Sequence, residues 1–350
     1  AQHVKNPDTQ TWRALRQLQA RHRLALTGTP VENHLLDLWA LFEILMPGYL
    51  GSRDAFLRRY AGVMVEPAVA GGPDASVQEV TDPRVASLRR RVFPFILRRL
   101  KAEVARDLPP RTEVVQFCEM LPAQRRLYRQ LLAAYRSRVL DEVDRSGIAR
   151  SRMVILEALL RLRQVCCHPA LLDQPAARKA GSAKLEAFRE LVEHAVGAGG
   201  QVLVFSQFTS MLDILARELD QLGIAWERLD GRTRNRQARV ERFQAGRVPV
   251  FLISLKAGGT GLNLTAASYV IHYDPWWNPA VEEQATGRAH RIGQDQPVFS
   301  YKLITRGTVE EKILQLQQRK RALAGALLAG DGKLGKDLTR EDLEFLLAPD

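Results

Sequence analysis

The chain has 350 residues, is 46% hydrophobic and 26% charged, and carries a formal net charge of +12 with three cysteines. That length suits about two domains with cores of their own, and no apolar run approaches the ~18–20 residues a membrane-spanning helix needs. Cys118 and the adjacent Cys166 and Cys167 form neither a disulfide framework nor the paired spacing of a zinc site, which points to a reducing compartment.

The positive charge is local. Between Arg84 and Arg111 stand nine basic and two acidic residues, and between Gln124 and Arg163 ten basic and four acidic, so the remainder is close to neutral. Arginine supplies 41 of the 51 cations, and its planar fork suits phosphate oxygens. An arginine-rich zone confined to one region fits a polyanion surface, nucleic acid above all; solvated helix faces are the plainer alternative.

In chain order, AQHVKNP opens without methionine and reads as a cut through a longer protein. HRLALTGTP, residues 22–30, reads as a short buried strand running into a threonine-rich turn closed by Pro30. From about 34 to 165 the pattern is helical, broken by loops. LLDLWALFEIL is an apolar helix ending at Pro47-Gly48, and residues 66–83 form a Pro-, Gly- and Ala-rich loop. LPAQRRLYRQLLAAYRSRVL has helical periodicity with arginines opposite its apolar face. VCCHP reads as the end of an apolar helix stopped by Pro169, in preference to a metal site using His168.

From about 182 strands alternate with helices: QVLVFSQ, a helix from Phe208 to Leu222 turning Met211, Leu212, Leu215 and Leu219 inward, then IAWERL, VPVFLISL, SYVIHY and PVFSYKLI. That rhythm predicts a parallel sheet covered by helices, with ligand-carrying loops at the carboxyl ends of the strands. Thr308 and Glu311 form a capping box for a last long helix, followed by a glycine-rich tail and a short LTREDLEFLL helix.

Four strand-following loops could carry chemistry: Ser206-Gln207-Phe208, LDGRT at 229–233, SLKAGGTGLN at 254–263 and DPWWNP at 274–279. The GGTG run lets backbone N–H groups crowd an anion, although a plain tight turn would read the same way. DPWWNP leads into QATGRAHRIGQ, residues 284–294, where offsets of four and three put Gln284, Arg288 and Arg291 on one face of a helix.

The order of these pieces is more specific than any one of them. LALTGTP, VLVFSQF, SLKAGGTGLNL and DPWWNPAVEEQATGRAHRIGQ resemble, in series, motifs three to six of the superfamily-two helicase engine in its Swi/Snf-type subgroup of double-stranded-DNA translocases. LRRLKAEVARDLPPRTE and LRLRQVCCHP look like that subgroup's helical insertions, and AQHVKNP like the remainder of its Asp-Glu box.

The resemblance implies an α/β fold: a RecA-like lobe with a parallel sheet flanked by helices, an all-helical insertion, and a small remnant of a first RecA-like lobe. The implied domains are 1–33 for the remnant, 34–165 for the insertion and linker, 166–320 for the second lobe and 321–350 for the tail. It further implies that ATP is closed between two lobes, the other lobe holding the phosphate loop and Mg2+.

Residue by residue, Arg288 and Arg291 match the arginine fingers, with Gln284 and Gly261 also at the nucleotide. Thr27 and Thr29 match the motif that relays nucleotide state, while Asp274, Trp276 and Trp277 match the segment linking DNA contact to hydrolysis. Ser206, Gln207, Gly231 and Arg232 fall where the family touches the DNA backbone, as do Thr233, Lys256, Gly259 and Thr260. No metal ligand is implied in this chain. The nearest phosphate-loop match, Gly330 to Asp337, has Asp337 where the magnesium-binding hydroxyl belongs and no strand before it.

The expected function is therefore the C-terminal half of an ATP-dependent double-stranded-DNA translocase, inactive as an ATP hydrolase by itself. Its expected partners are duplex DNA gripped without sequence preference, the upstream lobe and a protein target on DNA, with no membrane. Arginine bias and a compact insertion suit a bacterial cytoplasmic, nucleoid-associated protein. The alternatives are a strand-separating DNA or RNA helicase and a non-catalytic DNA-binding or partner-docking module. A dinucleotide-binding oxidoreductase lobe fails for want of G-x-G-x-x-G.

Overall fold

The computed structural model describes residues 1, 4–27, 35–60, 83–97, 105, 107–172, 174, 177, 180–255, 257, 261–325 and 340–348. Thr29, Lys256, Gly259 and Thr260 lie outside the described residues, as do the expected loop up to residue 82 and the glycine-rich tail at 326–339. The chain divides into two compact units, one of Ala1–Leu100 with Leu316–Asp337, the other of Lys101–Gln315 with Leu338–Asp350.

In the first unit, helices α1 (Gln10–Gln17), α2 (Leu35–Leu45), α3 (Arg53–Tyr60) and α4 (Pro83–Val92) surround one apolar cluster. Trp12 and Trp39 stack with ring centroids 6.0 Å apart. Their indole N–H groups donate to the carbonyls of Ala40 and Gly51, each at 3.0 Å, so both large rings are buried with their polar edges satisfied. The strand expected at residues 22–30 is absent from its described part. Residues 22–27 are irregular, and Leu24 and Leu26 are 85% and 77% exposed. A parallel strand needs ladder partners, and the described residues offer this stretch none.

The second unit is built on six parallel strands: β1 (Arg111–Cys118), β2 (Val202–Ser206), β3 (Trp226–Leu229), β4 (Val250–Ser254), β5 (Tyr269–His272) and β6 (Val298–Thr305). Their order across the sheet is β1-β6-β5-β2-β4-β3. The central strands are continuous apolar runs because both faces are covered. Val202, Val204 and Leu252 pack against α6 (Ala183–Gly197) and α7 (Thr209–Gln221), while Leu203, Phe205 and Ile253 pack on the other side with Phe243 of α8 (Arg236–Gln244) and Ala285 of α9 (Pro279–Thr286). All five strands expected after residue 182 are present.

Strand β1 was not expected, since residues 34–165 read as helix and loop. Among the described residues it pairs only with β6, so one edge and much of one face meet solvent, and Arg111, Glu113 and Gln116 erase the apolar signature of its neighbours. The helical stretch is thereby shared out, with α2–α4 in the first unit and α5 (Pro122–Cys167) in the second.

Helix α5 breaks at Gly147, whose φ of 74° and ψ of 160° suit a residue without Cβ. The Ser151 hydroxyl donates to the carbonyl of Gly147 at 2.8 Å, and Gln124 near the start donates to the carbonyl of Val165 near the end at 2.8 Å. The two arms therefore fold back as a hairpin. Orphan carbonyls at the C-terminus of α5 are met by side chains: Ser182 donates to Cys167 O at 2.7 Å, Tyr273 to the same oxygen at 3.1 Å and Thr305 to Cys166 O at 3.3 Å. The helix ends there as expected, and burial raises both thiols, which serve as small apolar side chains. Helices α10 (Val309–Gly325) and α11 (Arg340–Leu346) complete the chain. The Thr308 hydroxyl accepts from Glu310 N at 3.2 Å, while Glu311 reaches back to Gly307 N at 2.8 Å, a capping box displaced by one residue.

Candidate functional site

Parallel register sets the carboxyl ends of β2, β3, β4 and β5 along one edge of the sheet, with Ser206 opposite Ser254, Leu229 opposite Ile253 and Phe205 opposite His272. The loops carrying the candidate residues all start from that edge.

Two of these loops are tied together by a buried carboxylate. Asp274 has no exposed surface, and its Oδ1 accepts from the Ser206 hydroxyl at 2.6 Å and from the backbone N–H of Gln207 at 3.2 Å. Burial pushes its carboxyl upward against the opposing pull of Arg163, whose Nη2 lies 3.6 Å from Oδ2. Ser206 is therefore committed to an internal bond, and its hydroxyl cannot at the same time point freely at a ligand. Gln207 keeps its side-chain Nε2 buried and without a hydrogen-bond partner.

The turn after β3 is self-supporting. Asp230 accepts from Arg232 N–H at 2.8 Å and from the Thr233 hydroxyl at 3.3 Å, which leaves Gly231 and the Arg232 side chain exposed. Burial raises the Asp230 carboxyl, but the Arg232 N–H, the Arg228 charge and Thr233 together outweigh it and hold it below the ordinary value.

Helix α9 stops at Thr286, short of both arginines, so Gln284, Arg288 and Arg291 do not share one continuous helical face. Turns continue the chain, with Arg288 N–H bonded to Ala285 O at 3.2 Å and Gln294 N–H to Arg291 O at 2.9 Å. Gly287 follows the last helical residue, and glycine commonly ends helices. Gln284 and Arg291 are exposed, whereas Arg288 is only 6% exposed.

Arg288 is the outlier of the unit. Its Nε and Nη1 are buried without a hydrogen-bond partner, and burial, with Arg291 adding to it, lowers its pKa to about 10. A buried guanidinium with unpaired donors costs on the order of 1–3 kcal/mol or more, and such a group needs an explanation such as an anion that completes it. The Arg288 carbonyl accepts from Leu264 N–H at 3.1 Å, which binds this turn to the loop carrying Gly261, whose φ is 69°. Upstream, Trp276 N–H donates to Glu282 at 2.7 Å, and Glu282 pairs with Lys302 at 3.0 Å, anchoring DPWW to α9. Thr27 lies in the first unit and is partly buried.

Residues 1–171 match the SNF2-related domain and residues 183–293 the helicase conserved C-terminal domain. The SWI2/SNF2 ATPase core of Sulfolobus solfataricus, solved in complex with double-stranded DNA, is 33% identical, with a TM-score of 0.56 over 100% of this chain and 71% of that one. The chain belongs to the SWI2/SNF2 ATPase family. The C-terminal domain of the same Sulfolobus protein is 31% identical with a TM-score of 0.55, covering 69% of this chain and 99% of that one.

Among curated SWI2/SNF2-type relatives, YwqA of Bacillus subtilis, named for an ATP-dependent helicase/translocase, is 39% identical over 99% of this chain and 37% of its own length. The DNA repair and recombination protein RAD26 of Saccharomyces cerevisiae is 34% identical over 93% of this chain and 30% of its own length. The chain thus spans about a third of such relatives. The expected α/β fold, a RecA-like lobe with a parallel sheet flanked by helices, is the one found.

Sequence reading missed three participants in this SWI2/SNF2 core. Arg163 grips the DPWW loop through Pro275 O at 2.6 Å. His290 bonds Pro109 O at 2.8 Å, and Arg111 pairs with Glu283 at 2.5 Å, so the segment entering β1 braces the arginine turn. LRLRQVCCHP and the LPPRTE end of LRRLKAEVARDLPPRTE resemble family hallmarks, but nothing in either string says what it touches.

Proposed function

We propose that this chain is the part of an ATP-driven duplex-DNA translocase that completes a nucleotide site and grips the DNA backbone. One observation carries the reading: Arg288, buried yet with two unpaired donor atoms, is built to receive an anion. Bound ATP would supply the transferred γ-phosphoryl group, and Arg288 would stabilise the charge developing on it. Arg291, exposed three residues on, would reach the same phosphates only when a second lobe carrying the phosphate loop closes on this one. A finger of this kind contributes about 10³–10⁵ in rate. Among the described residues no cluster of acidic, histidine or cysteine side chains is arranged to hold a metal, and we assign Mg2+ no ligand here.

The turn at Gly231 to Thr233 and the solvent-facing arginines of α5 would meet DNA phosphates. Such contacts carry little sequence information and favour translocation along any duplex. Domain roles follow the expected division: a first-lobe remnant to residue 33, an insertion and linker at 34–165, a second lobe at 166–320 and a tail.

The test uses the complete motor. Arg288→Ala is expected to lower ATP turnover by about 10³-fold or more while duplex-DNA affinity stays within a few-fold, and this chain alone is expected to hydrolyse ATP negligibly. Turnover near wild type in the Arg288→Ala motor would refute the finger assignment.

A further inference from the structure

Arg163 is buried, unlike the solvent-facing arginines of α5, and its guanidinium is the point where three segments meet. It projects from the last turns of α5 with its side chain 4% exposed. One nitrogen donates to Pro275 O at 2.6 Å and lies 3.6 Å from Asp274 Oδ2. Its Cζ lies over two rings, 5.4 Å from the Trp277 centroid and 5.8 Å from that of Phe208. Asp274 in turn holds Ser206 and Gln207, and Phe208 N–H donates to the Ser206 hydroxyl at 3.1 Å. The loop after β2, the DPWW loop after β5 and the basic helical hairpin are therefore clamped through one side chain.

From DPWW the linkage runs on through Trp276 N–H and Glu282 into α9, the helix that leads to Arg288. A push on α5 can therefore reach the arginine turn through hydrogen-bonded steps.

We propose that Arg163 is a positioning residue: resting on the translocase reading, it transmits the DNA-contacting state of the α5 hairpin to the DPWW loop and so to the arginine turn. Arginine suits this place for a physical reason. Its fork can donate to a carbonyl and face a carboxylate while its flat face can lie against aromatic rings. Lysine could supply the charge but neither the fork nor the stacking. The pair with Asp274 is fully desolvated, so a lost partner leaves an isolated buried charge and the two loops lose their common anchor.

The complete motor tests this with Arg163→Lys and Arg163→Met beside the wild type. Turnover is measured without DNA and at saturating duplex, translocation by displacement of a triplex strand, and folding by thermal melting. The inference expects Arg163→Lys to melt cooperatively and to lose at least fivefold in the ratio of DNA-stimulated to basal turnover, with less strand displaced per ATP. Arg163→Met is expected to lose more.

If both variants lower basal and stimulated turnover in equal proportion, Arg163 merely supports the fold and the inference is overturned. A wild-type ratio in both variants overturns it too. A wild-type motor that DNA does not stimulate would instead sink the translocase reading, and this inference with it. A second readout uses the present chain: Trp277 emission should change in Arg163→Met and in Asp274→Asn, and change no further in the double variant. Additive changes would show that the two groups act separately.

Discussion

At the scale of single residues, the site keeps an arginine where folding alone would not. The two unpaired donors of Arg288 weigh against stability, so Arg288→Met should stabilise this chain, by about 1–3 kcal/mol if the methionine fills the same space. Sulfate or inorganic phosphate should raise the melting temperature of the wild type but not of the variant, in a thermal titration. An equal rise in both would remove the anion assignment. His272 gives a second residue-level expectation. It is stacked on Phe205 with its Nε2 2.8 Å from the Thr286 hydroxyl, and burial, with Lys302 and Arg111 nearby, lowers its pKa to about 3. Its folded value lies below its unfolded one, so below about pH 6.5 the unfolded state takes up the proton first. Stability should therefore fall as pH drops from about 6.5 toward 3, by roughly 1 kcal/mol per pH unit. Urea titrations of His272→Asn should show a shallower slope over that window. Sequence alone could name Arg288, because its spacing falls in a motif, but could not foresee His272, whose state is set by neighbours distant along the chain.

At the scale of elements, what was legible followed from local pattern. The five apolar strands after residue 182 and the amphipathic α7 declare themselves because burial on both faces, or on one, dictates composition directly. β1 hid because an edge strand with a solvent face can carry charge, and α9 ended early because turn bonds replaced the helical ladder near Gly287. HRLALTGTP misled because an apolar run states what a segment would bury and not whether a partner strand stands beside it. Element junctions also rest on polar groups that no local pattern predicts. Lys184 of α6 and Glu310 of α10 form a fully buried pair at 2.6 Å, and Glu310 also accepts from Thr305 N–H at 3.0 Å. Glu310→Gln should destabilise by about 3–5 kcal/mol, because it strands the lysine charge, whereas a Lys184→Met, Glu310→Leu double variant should recover much of that. Chemical unfolding of the three proteins decides between coupling and independent effects.

At the scale of the whole molecule, the excess positive charge is concentrated in two stretches, 84–111 and 124–163, rather than spread. The arginines of α5 that face solvent, together with Arg232, should make duplex binding non-specific and steeply salt-dependent, with log K falling linearly against log salt. A flat line from fluorescence anisotropy would remove the phosphate-grip reading. The family was readable in the sequence since it lies in the order of motifs. The division into units at Leu100 and Lys101 was not, because it depends on which segment the β1 ladder recruits, a pairing between residues nearly two hundred positions apart.

That pairing has one more consequence. The hairpin tip at Gly147 is exposed, while β1 upstream of it is zipped to β6 along eight residues and Gln124 is bonded at the hairpin's base. A protease nick at the tip should therefore not release the N-terminal piece. Two separately expressed halves, divided at Gly147, should find each other and co-purify, which makes this turn a natural place to split the protein into a complementing reporter.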